Sequence, residues 1–297
     1  MTRRRWRIAA AAAFAVSALA VSEGTVSSGA TAPPVTARSR IVFDSHRSGA
    51  WAIYTKELCC RTTLLLGGPA RVDFAPAVSA AAGRIALTAE VGGNYDIYTM
   101  PIGGGRLRRI THGSSVDAFS AWSPDGGSIA FDSNRTGNWN VFVWHAGRVR
   151  RLTSGGRVNG LPAWSPDGST IAYDSNRSGH MEIMTVGAAG GTPTQWTGTS
   201  WVTNVQPAWS PDGSTLAFSS NRSGRFQLYL LDLQTHAISR LTNDSGNDFQ
   251  PAWSPDGSAL AYVSRTGGVD RVMAIRRDGT GLITVSLKSG ELPRWLP

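Results

Sequence analysis

Short apolar runs recur along this chain between clusters of Gly, Pro, Asp, Asn and Ser. Residues 129–132, 171–174, 216–219 and 260–263 read Ile-Ala-Phe-Asp, Ile-Ala-Tyr-Asp, Leu-Ala-Phe-Ser and Leu-Ala-Tyr-Val. Large and small residues alternate in them as they do along a buried strand. Matching runs begin at Ile41 and Ile85. Ahead of four of them stands Pro-Ala-Trp-Ser or Ser-Ala-Trp-Ser, a further short strand, joined by Ser-Pro-Asp-Gly. In that turn Pro presets φ, Asp offers a side-chain acceptor and Gly tolerates positive φ. A third run (96–100, 140–144, 182–186, 227–231) follows a polar turn such as 134–137 or 176–179. A fourth ends in Arg-Arg-Ile-Thr (108–111), Arg-Arg-Leu-Thr (150–153) or Ser-Arg-Leu-Thr (239–242).

This four-strand unit repeats. Its first-strand copies start at 76, 120, 162, 207, 251 and 293, so the spacings lie between 42 and 45 residues. Strands this short at a period of about 44 predict an all-β array of propeller blades. Six copies of the second strand begin at Ile41, Ile85, Ile129, Ile171, Leu216 and Leu260. The first lacks a Pro-Ala-Trp before it, and the chain ends on Leu292-Pro293-Arg294-Trp295 with nothing after it. The two partial copies complete each other, which predicts a six-bladed β-propeller of four-stranded blades. The C-terminal strand closes the ring in blade one and removes the open sheet edges.

The four intact Ser-Pro-Asp-Gly turns, each after a Trp and before Ile/Leu-Ala-Phe/Tyr, resemble the β-propeller repeats of the TolB family. The resemblance covers about residues 38–297. It implies the propeller fold and an envelope protein-interaction role. TolB proteins also carry an α/β domain before the propeller. Only a few residues separate the expected export signal from the first blade here, so that domain is expected to be absent.

Residues 1–20 read as a signal peptide: Arg3, Arg4, Arg5 and Arg7, then 13 apolar residues from Ile8 to Ala20, with Ala18-Leu19-Ala20 as cleavage site. Thirteen residues are too few to span a bilayer. Thr2–Arg7 also has the look of a twin-arginine export motif. Residues 21–38, rich in Ser, Thr, Ala, Gly and Pro, read as a disordered linker, and 39–297 as the propeller. The expected location is exported: periplasmic, cell-wall associated or secreted, with no stable membrane span after signal cleavage.

The formal charge of +9 shrinks once the signal is removed: 29 basic residues less four leave 25 against 20 acidic, or +5. Arg106, Arg108, Arg109, Arg148, Arg150, Arg151 and Arg240 cluster around the fourth strands. Charge guarding outer blade edges explains them better than nucleic acid, because stacking aromatics are missing from these strands.

Cys59 and Cys60 are adjacent and carry no metal-ligand spacing. A vicinal disulfide, buried thiols and an intermolecular bridge all fit them. None of the five histidines pairs at metal spacing, and no Gly-x-Ser-x-Gly elbow is present. A catalytic role is therefore not expected. A metal-dependent lyase or lactonase at the channel mouth stays as one alternative, and a glycan or cell-wall binder as another.

Aligning the repeats brings out two candidate sets. Asp73, Asp117, Asn159, Asn204 and Asp248 stand three residues before each first strand, with Glu291 beside Gly290 in the sixth place. They are expected to ring one channel mouth. Asp73, Asp117 and Asp248 would hold calcium or a cationic partner loop, unless they cap loop backbones. Arg47, Arg135, Arg177 and Arg222 recur in the next turn, as an outer collar for a carboxylate ligand or as stacking partners within the blades. Trp122, Trp164, Trp209, Trp253 and Trp295 recur in register and are expected to fill the wedges between sheets. Trp51, Trp139, Trp144, Trp196 and Trp201 lie outside that register and suit a ligand surface better. The whole reads as an exported, monomeric, non-catalytic interaction module for a protein partner of the cell envelope.

Overall fold

The structure, a computed structural model, describes residues 40–45, 51–57, 62–66, 72–198, 200–285 and 291–296. Six four-stranded antiparallel sheets form the blades. Blade one takes Glu291–Leu296 as its inner strand, followed outward by Arg40–Ser45, Ala52–Glu57 and Thr62–Leu66. The inner strands of blades two to six are Val72–Ser79, Asp117–Trp122, Asn159–Trp164, Asn204–Trp209 and Asn247–Trp253. In each of these blades the next three strands follow in chain order from the axis outward.

The large-small-large alternation of the second strands explains how the blades pack. In blade three Ile129 and Phe131 point to blade two and meet Ala86 and Ile97. Ala130, between them, points to blade four and meets Ile171, Tyr173 and Met184. The same division recurs where Ala172 receives Leu216 and Phe218, and where Ala217 receives Leu260 and Tyr262. A small residue facing a large one keeps the sheets close near the axis. The register Trp residues extend this: Trp209 donates its indole N–H to Ala163 O at 3.1 Å, Trp253 to Ala208 O at 3.1 Å and Trp295 to Ala252 O at 3.0 Å. Each ring crosses to the preceding blade and bonds its inner strand.

The Ser-Pro-Asp-Gly turns are self-contained. In blade four Ser165 Oγ donates to Asp167 and accepts the N–H of Thr170, while Asp167 accepts the N–H of Ser169. Gly126, at φ 71°, needs to be glycine twice over, since a Cβ there would sit 2.7 Å from the Ala82 nitrogen. The Thr that ends the fourth-strand motif has an equally local purpose. Thr111, Thr153, Thr197 and Thr242 accept the N–H groups of Ile97, Val141, Ile183 and Leu228, continuing the ladder where the outer strand leaves it. Arg150 reaches the carbonyls of Ala188 and Ala189 in the next blade.

The ring closes as the partial repeats require. Ile41 pairs with Trp295, Val42 with Arg294 and Asp44 with Glu291. Trp295 then joins Ile41, Phe43, Ala252 and Ala261 in one apolar cluster between blades six and one. Cys59 and Cys60 lie outside the described residues, as do residues 1–39. No helix of the described residues is long and apolar enough to cross a membrane.

Two predictions follow from this packing. Deleting residues 292–297 strips blade one of its inner strand, and the truncated chain should aggregate or melt far below the full chain; an unchanged melting curve would refute closure by this strand. Trp253→Ala removes a ring that is 9% exposed, bonded to Ala208 and covered by the Arg277 guanidinium at 5.3 Å. The expected loss is about 3–5 kcal/mol in a denaturant titration.

Candidate functional site

Asp73, Asp117, Asn159, Asn204 and Asp248 all lie near the start of an inner strand, and all are 0% exposed. Asp117, Asn159 and Asn204 are joined to neighbouring side chains. Arg135 of the collar donates to Asp117 at 2.8 Å, its guanidinium lying over the Phe131 and Phe142 rings. Arg222 donates to Asn204 at 3.0 Å and lies over Phe218 and Tyr229. The two sets read separately in the sequence thus meet inside single blades. They also link blades: Asn204 donates to Glu182 of blade four at 2.8 Å, and Asn159 donates to Asn140 of blade three at 3.1 Å. Arg177 is exposed and reaches Tyr173 instead. Glu291 pairs with Asp44 through its backbone, and Arg47 lies outside the described residues.

Blade six departs from this scheme. Its Arg265 forms a two-pronged pair with Asp270, at 2.5 and 2.8 Å. Asp248 is left with both oxygens outside hydrogen-bonding geometry, and burial, with Asp244 nearby, pushes its pKa up to about 7. Among the described residues no group of three or more His, Cys, Asp or Glu gathers as metal ligands.

A second polar set was hidden in the apolar second strands. Every inner strand carries a bulge, and in blades two to six its central residue has positive φ: Ala75, Phe119, Leu161, Gln206 and Gln250, at 52–62°. Pro follows four of the five, and a residue without an N–H cannot continue the ladder. The freed N–H of the bulge residue is taken by the preceding blade. Ala75 donates to Asp44 at 2.9 Å, Phe119 to Thr88 at 3.2 Å, Leu161 to both oxygens of Asp132 at 3.0 Å and Gln206 to Asp174 at 3.3 Å. Gln250 donates to the Gln206 side chain at 2.9 Å. Gly160 makes room for the Asp132 carboxylate, which would sit 2.8 Å from an added Cβ. Burial dominates the acidity of these groups. It raises Asp44 to about 7, Asp174 to about 8 and Asp132 well above the usual range, although each bulge N–H pulls the other way. The readable signal was the Asp that ends three otherwise apolar runs.

The inner strands enclose a cavity of about 360 Å³ along the ring axis. Its wall is built from the bulge residues, the Pro and Ala that follow them, and the edges of the register Trp rings. Among the described residues Arg294 is the one charged side chain on that wall. It occupies the place held by Ala121, Ala163, Ala208 and Ala252 in other blades. Sequence reasoning passed over it as part of a fragmentary repeat.

The turns between second and third strands and the loops into the inner strands share one face. Of the irregular Trp residues, Trp196 donates to Thr185 at 2.8 Å and meets His236 edge-on. Trp144 packs in the core between blades two and three. Trp139 bridges to Val158, and Trp51 is half-buried. Trp201 is 89% exposed, with His180 at 5.9 Å between ring centroids. Arg157, Arg177 and Arg225 are exposed on the same face.

The raised carboxyls make a pH prediction. Folded Asp174 holds its proton to about pH 8, whereas an unfolded Asp releases it near 3.8. The folded state binds more protons between those values, so stability falls as pH rises through the window, by up to about 1.4 kcal/mol per pH unit. Asp174→Asn keeps an acceptor for Gln206 and removes this loss. The variant should melt above the wild type at about pH 8, with the gap shrinking toward pH 5. A gap independent of pH would mean that Asp174 keeps an ordinary pKa.

Solved structures share this architecture. TolB from Acinetobacter baumannii aligns with a TM-score of 0.77 at 22% identity, over 86% of this chain and 66% of that one, so the chain spans just under two thirds of its length. Putative TolB from Agrobacterium tumefaciens aligns at 0.70 and 22% identity, over 88% of this chain and 99% of that one. Oligogalacturonate lyase from Vibrio parahaemolyticus aligns at 0.58 and 12% identity, over 82% and 73%. At these identities the likeness is one of fold. The family described as TolB beta propeller domain matches residues 32–200 and again 198–295, which takes in nearly all six blades. The chain belongs to the TolB β-propeller domain family.

Proposed function

We propose that this is an exported, non-catalytic propeller that binds a protein of the cell envelope on the face formed by the second-to-third-strand turns and the loops into the inner strands. The observation that carries the reading is Trp201, an aromatic side chain 89% exposed on that face. Its loop is tied down nearby: Thr203 N–H bonds Asn221 at 2.8 Å, and Asn204 N–H bonds Met181 O at 2.9 Å. A Trp already held in place loses little freedom on binding, which is the property of an interface anchor. Exposed Arg157, Arg177 and Arg225 on the same face favour an acidic partner surface. Membership of the TolB propeller family and the export signal read in residues 1–20 support the envelope setting.

The test compares immobilised wild type with Trp201→Ala and Arg177→Glu in an envelope extract, the retained proteins being identified. One acidic partner should be retained by the wild type and weakened at least tenfold by Trp201→Ala, with the melting temperature unchanged, as expected when an anchor worth about 2 kcal/mol is lost. Retention indifferent to both substitutions would overturn the reading. So would retention of wall polysaccharide alone, or turnover of an oligosaccharide.

A further inference from the structure

We infer that the axial cavity is a binding site for a small organic monocarboxylate, with its head group on the Arg294 guanidinium and its apolar body along the channel wall. The site is independent of Trp201, which stands on the outer face.

The repeat itself makes Arg294 conspicuous. At this level of the ring Ala77, Ala121, Ala163, Ala208 and Ala252 each pair with an Ala of the second strand. Arg294 pairs with Val42 in the same register. At Ala77, Ala163, Ala208 and Ala252 the register Trp of the following blade packs on the Ala, whereas blade two, which follows Arg294, has Val78 in that register and leaves room for a longer side chain. The guanidinium is half-buried, set against a wall of Ala, Pro and Trp that offers it no charge. Among the described residues its one hydrogen bond runs from Nη1 to Pro293 O at 2.8 Å. A guanidinium carries five N–H donors in a planar fork, the geometry that matches a carboxylate.

The fold supplies little to neutralise it. Asp44 is the carboxyl that acts on Arg294, and it is already engaged by the Ala75 N–H at 2.9 Å. Burial raises Asp44 to about 7, so near neutral pH much of it is protonated. Asp132 and Asp174, the other carboxyls of this layer, are raised as well and tied to the bulges of the following blades. Among the described residues, Arg294 is therefore only partly matched, by Asp44. Its volume of about 360 Å³ falls in the range of small-molecule sites. A single guanidinium balances one negative charge. Inorganic phosphate would bring a second charge and no apolar body into an apolar wall, so a monocarboxylate fits better.

Calorimetry and thermal melts of the full chain, with hexanoate and benzoate as probes, test this. Hexanamide, benzamide and inorganic phosphate serve as controls. Both acids should bind saturably at millimolar concentration and raise the melting temperature, while the amides and phosphate do neither. Arg294→Met should weaken binding of the acids at least tenfold. At pH 8, where Asp44 is mostly ionised, Asp44→Asn keeps an acceptor for Ala75 and removes the competing charge, so it should bind them several-fold more tightly than the wild type. The inference falls if amide and acid act alike, if phosphate binds as well as the acids, if neither acid binds, or if Arg294→Met binds like the wild type. Should Arg294→Met not fold, acid binding at pH 8 that is unchanged or weaker in Asp44→Asn overturns it.

Discussion

Each inner strand gives up one position of its ladder at the bulge, and the peptide N–H released there is buried near the axis. An unpaired buried donor costs about 1–3 kcal/mol. The bulged strand cannot supply the acceptor, so it comes from the second strand of the preceding blade: Asp44, Thr88, Asp132 and Asp174. Where blade five has Ser219, the donor of Gln250 goes to Gln206, whose oxygen also accepts from Ser219. No blade in this series is satisfied alone. The indoles of Trp209, Trp253 and Trp295, bonded to alanine carbonyls of the preceding blade, add the same dependence a few residues further along. Closure by Glu291–Leu296 is the last step of a chain of obligations running in one direction around the ring.

The same arrangement divides the aspartates into two populations. Asp167 sits in an exposed turn, accepts from Ser165 and Ser169, and is lowered to about 2. Asp174, seven residues on, is buried behind a bulge and raised to about 8. Hydrogen bonds to the charged form govern the first and loss of water governs the second. At neutral pH the turn carboxyl of Asp167 therefore carries its charge, while burial holds Asp132 and Asp174 toward the protonated form. Formal counting treats the two kinds alike and misses the field inside the ring, where Arg294 stands.

The blade count, the strand order and the closing strand were legible because each rests on local chemistry repeated six times. Ser-Pro-Asp-Gly states its own turn, and Ile-Ala-Phe states which face is large. The candidate ring residues stand near the starts of the inner strands, but their surroundings were not legible. Whether Asp117 meets water or Arg135 depends on how a turn folds back over two aromatic rings. The bulge escaped notice because its sign is a backbone angle. Arg294 escaped because an incomplete repeat invites reading for what it shares with the others.

In a ring of near-identical units the scaffold can be read from what recurs, which makes the departures informative. The Ser-Pro-Asp-Gly face is uniform: Gly168, Gly213 and Gly257 each pack on the Pro of the preceding turn, at Pro124, Pro166 and Pro211. A surface so committed to stacking has little freedom to vary. The opposite face differs from blade to blade, with Trp201 exposed in one loop and Arg265 turned to Asp270 in another. Inside, one Arg replaces an Ala that five blades retain. Ring closure requires none of these three. A half-buried guanidinium with one hydrogen bond among the described residues and a solvent-exposed indole are each groups that a ligand would engage at little cost to the fold.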